Sequence, residues 1–522
     1  MMTAPSPSAR RRGGRAARQE LRTRPLGKDS RPVRRGMDSG NYRPLTEPDT
    51  RKIHQAVLKL LETLGFSNAP PSCIEAITAA GGTLGDDGRL RLPAALIEDT
   101  VAKTNRDFLL CGQKPEHDMS PHGKRVYFGT GGAAIKIVDP ITGSFRDSTV
   151  RDLFDMARMV DGLEHIHYFQ RPVVARDMEN AHDLDFNTCY ASVSGTAKHV
   201  GTSFVNPAHL TETLEMLHVI AGGEKQWRQR PFVSQSNCFV VPPMTFEANA
   251  CAILETAARG GMPVLLLSAG QAGATAPAAL AGAVVQAMAE VLMGLVYINA
   301  VVPGAPCMIG PWPFVSDLRT GSMSGGSGEQ ALLMAAAGQM GQFYNLPTSV
   351  ASAMTDAKIP DAQSGAEKGY NHALVANAGT NLIQESAGMH ASLLAFCFES
   401  LVIDNDTIGA VQRSIRGIEV DDDTLSLDVI AEVCNNGPGH YLGHSQTIER
   451  MESDYVYPLV GDRTSPDEWT EKGSMNVIER AGVVMQDLLE NHWPDHISPD
   501  LDRTIRDKFP VKLAEEFRFK GE

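Results

Sequence analysis

The chain runs to 522 residues, 42% of them hydrophobic and 21% charged, enough for one large domain with accessory segments or for two or three domains. Its formal net charge of −14 is unevenly spread: residues 1–36 hold ten Arg and one Lys against Glu20 and Asp29, about +9, which leaves about −23 for the rest. A body that acidic argues against nucleic-acid binding, and eight Cys with no CxxC pair suit buried free thiols in a reducing compartment, not a disulfide frame or a zinc site.

Met1–Gly36 has almost no apolar periodicity and is expected to be a disordered basic tail. With no apolar run between its Arg residues, it is not a secretory signal. Residues 37–160 read as an α+β accessory region. Thr46-Glu-Pro-Asp49 forms a capping box, and Ile53, Val57, Leu60, Leu61 and Leu64 follow at helical spacing up to Gly65. A second helix is expected over about Pro71–Ala80. Arg125–Gly129 and Ala134–Val138 alternate like strands, Asp139–Gly143 is a turn, and Thr149–Asp152 is a capping box opening a helix to about Asp161.

From residue 161 short apolar strands alternate with helical stretches. Strands are expected at His167–Val174, Val200–Val205, Phe232–Val240, Val264–Ser268, Pro306–Gly310, Thr348–Met354 and Asn381–Ser386, with an eighth near Leu401–Ile403. Helices fall between them, among them Leu210–Ala221, Phe246–Arg259, Ala276–Leu292 and Glu329–Tyr344. This order predicts an α/β fold, a (β/α)8 TIM barrel over residues 161–408, with a doubly wound open sheet as the alternative. The longest apolar stretch, Leu280–Val302, is interrupted by Gln286, Glu290 and Asn299; it reads as a buried helix running into a strand, not as a membrane span. Residues 409–522 add helices expected to pack on the barrel. The protein is expected to be cytoplasmic, with no membrane or nucleic-acid partner.

Common motifs are missing. Gly129–Gly132 and Gly321–Gly328 are Gly-rich but match neither GxxxxGK[ST] nor a strand-linked GxGxxG, and there is no GxSxG elbow. His440 and His444 have i,i+4 spacing, but Gly437-Pro438-Gly439 precedes them and no HExxH glutamate accompanies them. No metal site is expected.

The polar clusters are more informative: Pro311–Gly321, Gly328–Gln330, Gln342–Pro347, Thr355–Gln363, Gly365–Lys368 and Ile383–Gly388. They fall after expected strands, at the carboxyl end of a barrel, where such folds build active sites. This segment is similar to the barrel signature of the trimethylamine methyltransferase family. So are Asn436–His444 with Tyr455–Pro458, Asp462-Arg463, Trp469 and Gly473, and the earlier Phe128–Gly132, Asp139–Gly143, Arg146, Asp152-Leu153 and Ile53-His54 with Gly65. The resemblance covers roughly residues 40–495, and the order and breadth of these short pieces carry it.

The resemblance implies methyl transfer from an amine to the Co(I) corrinoid of a small partner protein, and a homo-oligomeric enzyme. None of the 15 His has an Asp two residues before it, as a corrinoid-binding DxHxxG needs, so the corrinoid is expected on a separate cognate carrier. Members that use trimethylamine carry pyrrolysine. This chain has only the standard residues and so resembles the pyrrolysine-free branch, whose substrates are glycine betaine and related quaternary amines.

Such a reaction needs no general acid or base, because Co(I) is already nucleophilic and the leaving amine is neutral. What remains is alignment, exclusion of water and stabilisation of a cation, for which aromatic faces serve. Trp312, Phe314 and Tyr344, with Phe343, are the expected cage. Lys358, His390 and His440, with Arg319 and His444, could meet a betaine carboxylate. Asp356 and Glu385, with Asp317, Glu329 and Asp361, could balance the ammonium or order loops; Gln384 and Asn237 could orient water or substrate. Asp317, Arg319, Glu329 and His444 are expected to face the corrinoid. Against these stand core packing for the aromatics and pairing within Asp356/Lys358 and Glu367/Lys368. A Schiff-base lyase or aldolase at Lys358 and a non-catalytic binder of quaternary amines are the other functions in view.

Overall fold

A computed structural model describes residues 31–437 and 439–520, so most of the expected basic tail lies outside the described residues. Helix α1, Glu47–Thr63, opens on its capping box: Asp49 N donates to Thr46 Oγ1 at 3.4 Å and Thr46 N to the Asp49 carboxylate at 3.3 Å. Ile53, Val57 and Leu61, four residues apart, are its buried face. The Thr149–Asp152 box opens α2, Val150–Gly162, in the same way.

Strands β1 Arg125–Phe128, β2 Phe169–Gln170, β3 Val200–Thr202, β4 Val233–Cys238, β5 Val264–Ser268, β6 Cys307–Pro311, β7 Ser349–Ala351 and β8 Leu382–Gln384 all pair in parallel with one another. β2 to β6 form one sheet in chain order, and β7, β8 and β1 lie in another. Single parallel bridges join the sheets at both edges, Gly129 to Tyr168 and Ile309 to Thr348. Parallel neighbours need crossover connections. The helices α2, α3 Ala181–Gly195, α4 Pro207–Ala221, α5 Ala248–Arg259, α6 Leu280–Val301, α7 Gly328–Tyr344, α8 Ala362–Asn377 and α9 Phe398–Arg416 follow β1 to β8 in turn. Covered on both faces, a strand such as Val264-Leu-Leu-Leu-Ser268 is buried along its whole length.

Two expectations are corrected. Leu401–Ile403 is not a strand: it lies in α9, where Leu401, Asn405, Ile408 and Ile415 are buried at helical spacing. Leu280–Val302 does not run into a strand; α6 continues to Val301, and β6 begins at Cys307. Among the described residues α6 is the one helix long and apolar enough to cross a membrane, yet 83% of its most apolar window is buried inside the protein.

Glycines make room where strands carry large side chains toward one another. A Cβ on Gly129 would lie 2.3 Å from the Tyr168 ring, and one on Gly201 1.7 Å from Gln170 Oε1. The helix Val477–Asn491 packs against α2 and α9. Buried Arg158 of α2 fastens the carboxyl end of that helix, donating to Leu489 O and His492 O at 2.8 Å each, with its guanidinium 3.5 Å from the centre of the Trp493 ring.

Candidate active site

Past the strand ends the chain builds a second tier. Gln271–Ala272 pairs with Phe314–Val315, prolonging β5 and β6. Met389–His390 pairs with Ala395–Phe396, which in turn joins the ribbon Lys136–Val138 and Phe145–Asp147. Within this tier lies a cavity of about 750 Å³, the size of a small-molecule site. Residues at or just beyond the carboxyl ends of the strands line it: Ala133 after β1, Arg171 after β2, Ser203 after β3, Cys238 on β4, Ala269 after β5, Trp312 after β6 and Glu385 after β8. This is where a parallel α/β sheet system places its chemistry.

The rim is conformationally strained. Glu385 has φ of 60°, and Ala391, Ser392 and Leu393 follow one another at 51°, 51° and 77°, a left-handed turn that costs about 1–2 kcal/mol per residue. Hydrogen bonds hold it: Ala391 N donates to Ala357 O at 2.9 Å, Ser392 N to Thr355 O at 3.0 Å, and the Ser392 hydroxyl to the Asp356 carboxylate. Asp356 also accepts from Ser324 Oγ at 2.7 Å and Gly325 N at 2.8 Å. These bonds tie the segments after β6, β7 and β8 to one carboxylate, which does not line the cavity.

Of the other expected residues, Trp312, Phe314, Lys358, Gln384, Glu385 and Asn237 line the cavity together. Trp312 Nε1 donates to Ser349 O at 3.0 Å, which fixes the indole. Lys358 Nζ donates to Asp356 O at 2.6 Å, a backbone bond and not the side-chain pair considered from the sequence. Glu385 is 4% exposed, and one of its carboxyl oxygens is buried without a hydrogen-bond partner. Burial pushes its pKa up to about 8. The Tyr168 phenol, held well above its ordinary range by burial and by the charge of Glu385, belongs to the same buried polar group.

The remaining candidates lie elsewhere. Tyr344 and Phe343 end α7, and the Tyr344 hydroxyl meets His54 Nδ1 at 2.9 Å. A helix returning from a strand's carboxyl end carries its own last residues back toward the amino ends, which takes this aromatic pair out of the cage. His390 is buried with Nε2 2.7 Å from Ser400 Oγ, and it does not line the cavity. His440 is exposed in the C-terminal segment, and His444 caps the helix Ser445–Ser453 by accepting from Gln446 N at 3.1 Å; neither lines the cavity. Asp361 caps α8 by accepting from Ser364 N at 3.0 Å. Glu329 is exposed on the first turn of α7. Asp317 and Arg319 pair with each other at 2.6 Å on an exposed turn. Glu367 and Lys368 do not pair: Glu367 accepts from Asp356 N at 2.8 Å, and Lys368 Nζ donates to buried Asp404 at 2.5 Å. Among the described residues no three His, Cys, Asp or Glu side chains are grouped to hold a metal ion.

Arg171, Gln170 and Tyr168 escaped the sequence reading because His167–Val174 passes for one continuous strand. β2 ends at Gln170, so Arg171 stands at the mouth and not inside a ladder. The available signal was the charge itself, since an Arg in mid-run is a poor fit to a buried parallel strand.

The family described as trimethylamine methyltransferase (MTTB) matches residues 11–516. Trimethylamine methyltransferase MttB of Desulfitobacterium hafniense is 30% identical over 87% of this chain and 90% of its own length. MttB2 of Methanosarcina mazei is 32% identical over 87% and 92%. The glycine betaine methyltransferase of Desulfitobacterium hafniense is 27% identical over 89% and 96%.

Proposed function

The chain belongs to the trimethylamine methyltransferase family, and from that premise we propose that it moves a methyl group from a quaternary amine, glycine betaine or a related betaine, to the Co(I) corrinoid of a separate partner protein. We read β1–β8 as a closed (β/α)8 barrel. The bridges Gly129–Tyr168 and Ile309–Thr348, which leave neither sheet edge free, favour that reading over an open doubly wound sheet. On it the barrel starts at residue 125 and runs through α9, residues 37–124 are the accessory region, and the residues after α9 are an extension on the barrel.

The observation that carries the proposal is the pairing of Glu385 with two aromatic walls. Its carboxyl is buried, lacks a partner and shares the cavity with Trp312 and Phe314. A quaternary ammonium supplies the missing positive charge without asking for hydrogen bonds, and aromatic faces attract it by about 0.5–2 kcal/mol each. A corrinoid docked by the partner would supply Co(I) as the nucleophile for the methyl carbon, the N–CH3 electron pair leaving with a neutral tertiary amine. No side chain has to give or take a proton. The work of this chain is to hold the ammonium, strip it of water and turn one methyl toward the open side. On the wall of the cavity Leu394 is 61% exposed, apolar surface suited to a docking protein; Asp317 and Arg319 are proposed to face that partner. The homo-oligomeric state belongs to the same reading.

The test is direct. Purified protein is mixed with its corrinoid carrier or with reduced cobalamin, and glycine betaine, proline betaine, carnitine, choline and trimethylamine are supplied in turn. The expected result is a corrinoid absorbance change with at least one betaine, together with the matching demethylated amine. No change with any of the five overturns the proposal.

A further inference from the structure

Arg171 lines the cavity alongside Trp312, Phe314 and Glu385. Its backbone N–H donates to Gly201 O at 2.9 Å, which roots the side chain at the end of β2. Its Nε is buried without a hydrogen-bond partner, and it forms no direct ion pair with any described residue. The acid that bears on it through space is Asp185, whose Oδ2 already accepts from Val205 N at 2.9 Å and faces His209 Nδ1 at 2.8 Å. A partly buried guanidinium with free donors is costly unless an anion reaches it, and its planar fork matches a carboxylate.

We propose that Arg171 is the carboxylate anchor of the cavity, so that the substrate is a zwitterion: a quaternary amine bearing a carboxylate on Arg171 and an ammonium toward Trp312, Phe314 and Glu385. The identity of the cationic end rests on the function proposed above; the anchor concerns binding alone. Lys358 is the other cation on the wall, but its Nζ is exposed and already donates to Asp356 O. A zwitterion also fits a wall that offers both signs, the cations Arg171 and Lys358 and the acid Glu385. An amine without a carboxylate leaves Arg171 unsatisfied, and this is how the site discriminates.

Calorimetry on the full chain without corrinoid tests this, with glycine betaine and choline as probes, which differ by a carboxylate against a hydroxymethyl group. The wild type is expected to prefer glycine betaine. Arg171→Gln should weaken glycine betaine by about 10- to 100-fold, the worth of a charged hydrogen bond, and leave choline unchanged; Arg171→Lys should recover part of the loss. Equal melting temperatures show that the variants fold. A second readout is the thiol of Cys238, which is exposed and lines the same cavity. In a Cys434→Ser background, glycine betaine should slow its alkylation in the wild type and not in Arg171→Gln. Equal loss of both ligands, an unaltered glycine betaine affinity in Arg171→Gln, or a wild type that binds no carboxylated quaternary amine overturns the anchor. Arg171-dependent binding without methyl transfer leaves the anchor standing and rejects the proposed reaction. Methyl transfer with an unchanged KM in Arg171→Gln does the reverse.

Discussion

Trp312 and Phe314 meet edge to face, their ring centres 6.0 Å apart and their planes at 72°, while the Trp312 indole is held by its bond to Ser349 O at 3.0 Å. The two rings thus offer differently oriented surfaces to one cavity. Replacing Trp312 by Leu keeps an apolar wall but removes the better cation-binding face. Glycine betaine affinity should fall roughly 3- to 30-fold, in line with a cation–π contact of about 0.5–2 kcal/mol, and Trp312→Phe should fall between. Equilibrium binding checks this; equal affinity in Trp312→Leu contradicts the cage.

Glu385 predicts a pH dependence of definite sign. Its carboxyl sits at about 8 in the folded chain, against a reference value of 4.5. Its contribution to stability is therefore full below about 4.5 and is lost as pH rises through about 8, by on the order of a few kcal/mol. Glu385→Gln removes that loss, so the variant should gain on the wild type between pH 5 and pH 8.5 in denaturant midpoints. A bound cation favours the ionised carboxylate. Glycine betaine should therefore bind more tightly as pH approaches 8 and release protons, visible as binding heats that vary with the buffer. A wild type and a variant that run parallel across this range contradict the assignment.

Beneath the rim, the ion pair of Lys368 with Asp404, each side chain 3% exposed, also takes in Gly388 N, which donates to Asp404 Oδ2 at 2.8 Å. It ties α8 to α9 and to the loop after β8 that carries Glu385. Lys368→Met leaves a buried carboxylate unpaired and should destabilise the protein by about 3–5 kcal/mol, whereas changing both partners to apolar residues should cost much less. Thermal or urea unfolding of the single and double variants separates the two outcomes.

Much of this arrangement was legible in the sequence, for identifiable reasons. Both capping boxes start helices where Thr and Asp stand three apart, and Val264–Ser268 is a strand with the bounds read from its apolar run. Trp312, Phe314, Gln384 and Glu385 could be nominated because strand ends could be placed, and they line one cavity. Val402 and Ile403 misled because β-branched residues suit strands locally, while the burial of α9 is set by tertiary packing. Tyr344 lies outside the cavity because proximity in sequence to a strand end says nothing about which end of the sheet a long helix reaches. His390, His440 and His444 had suitable chemistry, but their partners, Ser400 for the first and a helix terminus for the last, belong to folded contacts that spacing cannot show. Arg171 required the exact end of a two-residue strand.

On the proposed function the cavity presents the methyl of a bound quaternary amine to cobalt held by another protein. The most direct measurement is a single turnover with glycine betaine carrying ¹³C in its methyl groups, mixed with the protein and reduced corrinoid carrier and followed by NMR. One labelled methyl is expected on the corrinoid for each dimethylglycine formed, with the yield lost in a Trp312→Leu, Glu385→Gln double variant that still folds. Label that stays on glycine betaine bound in the cavity, with active carrier present, contradicts it.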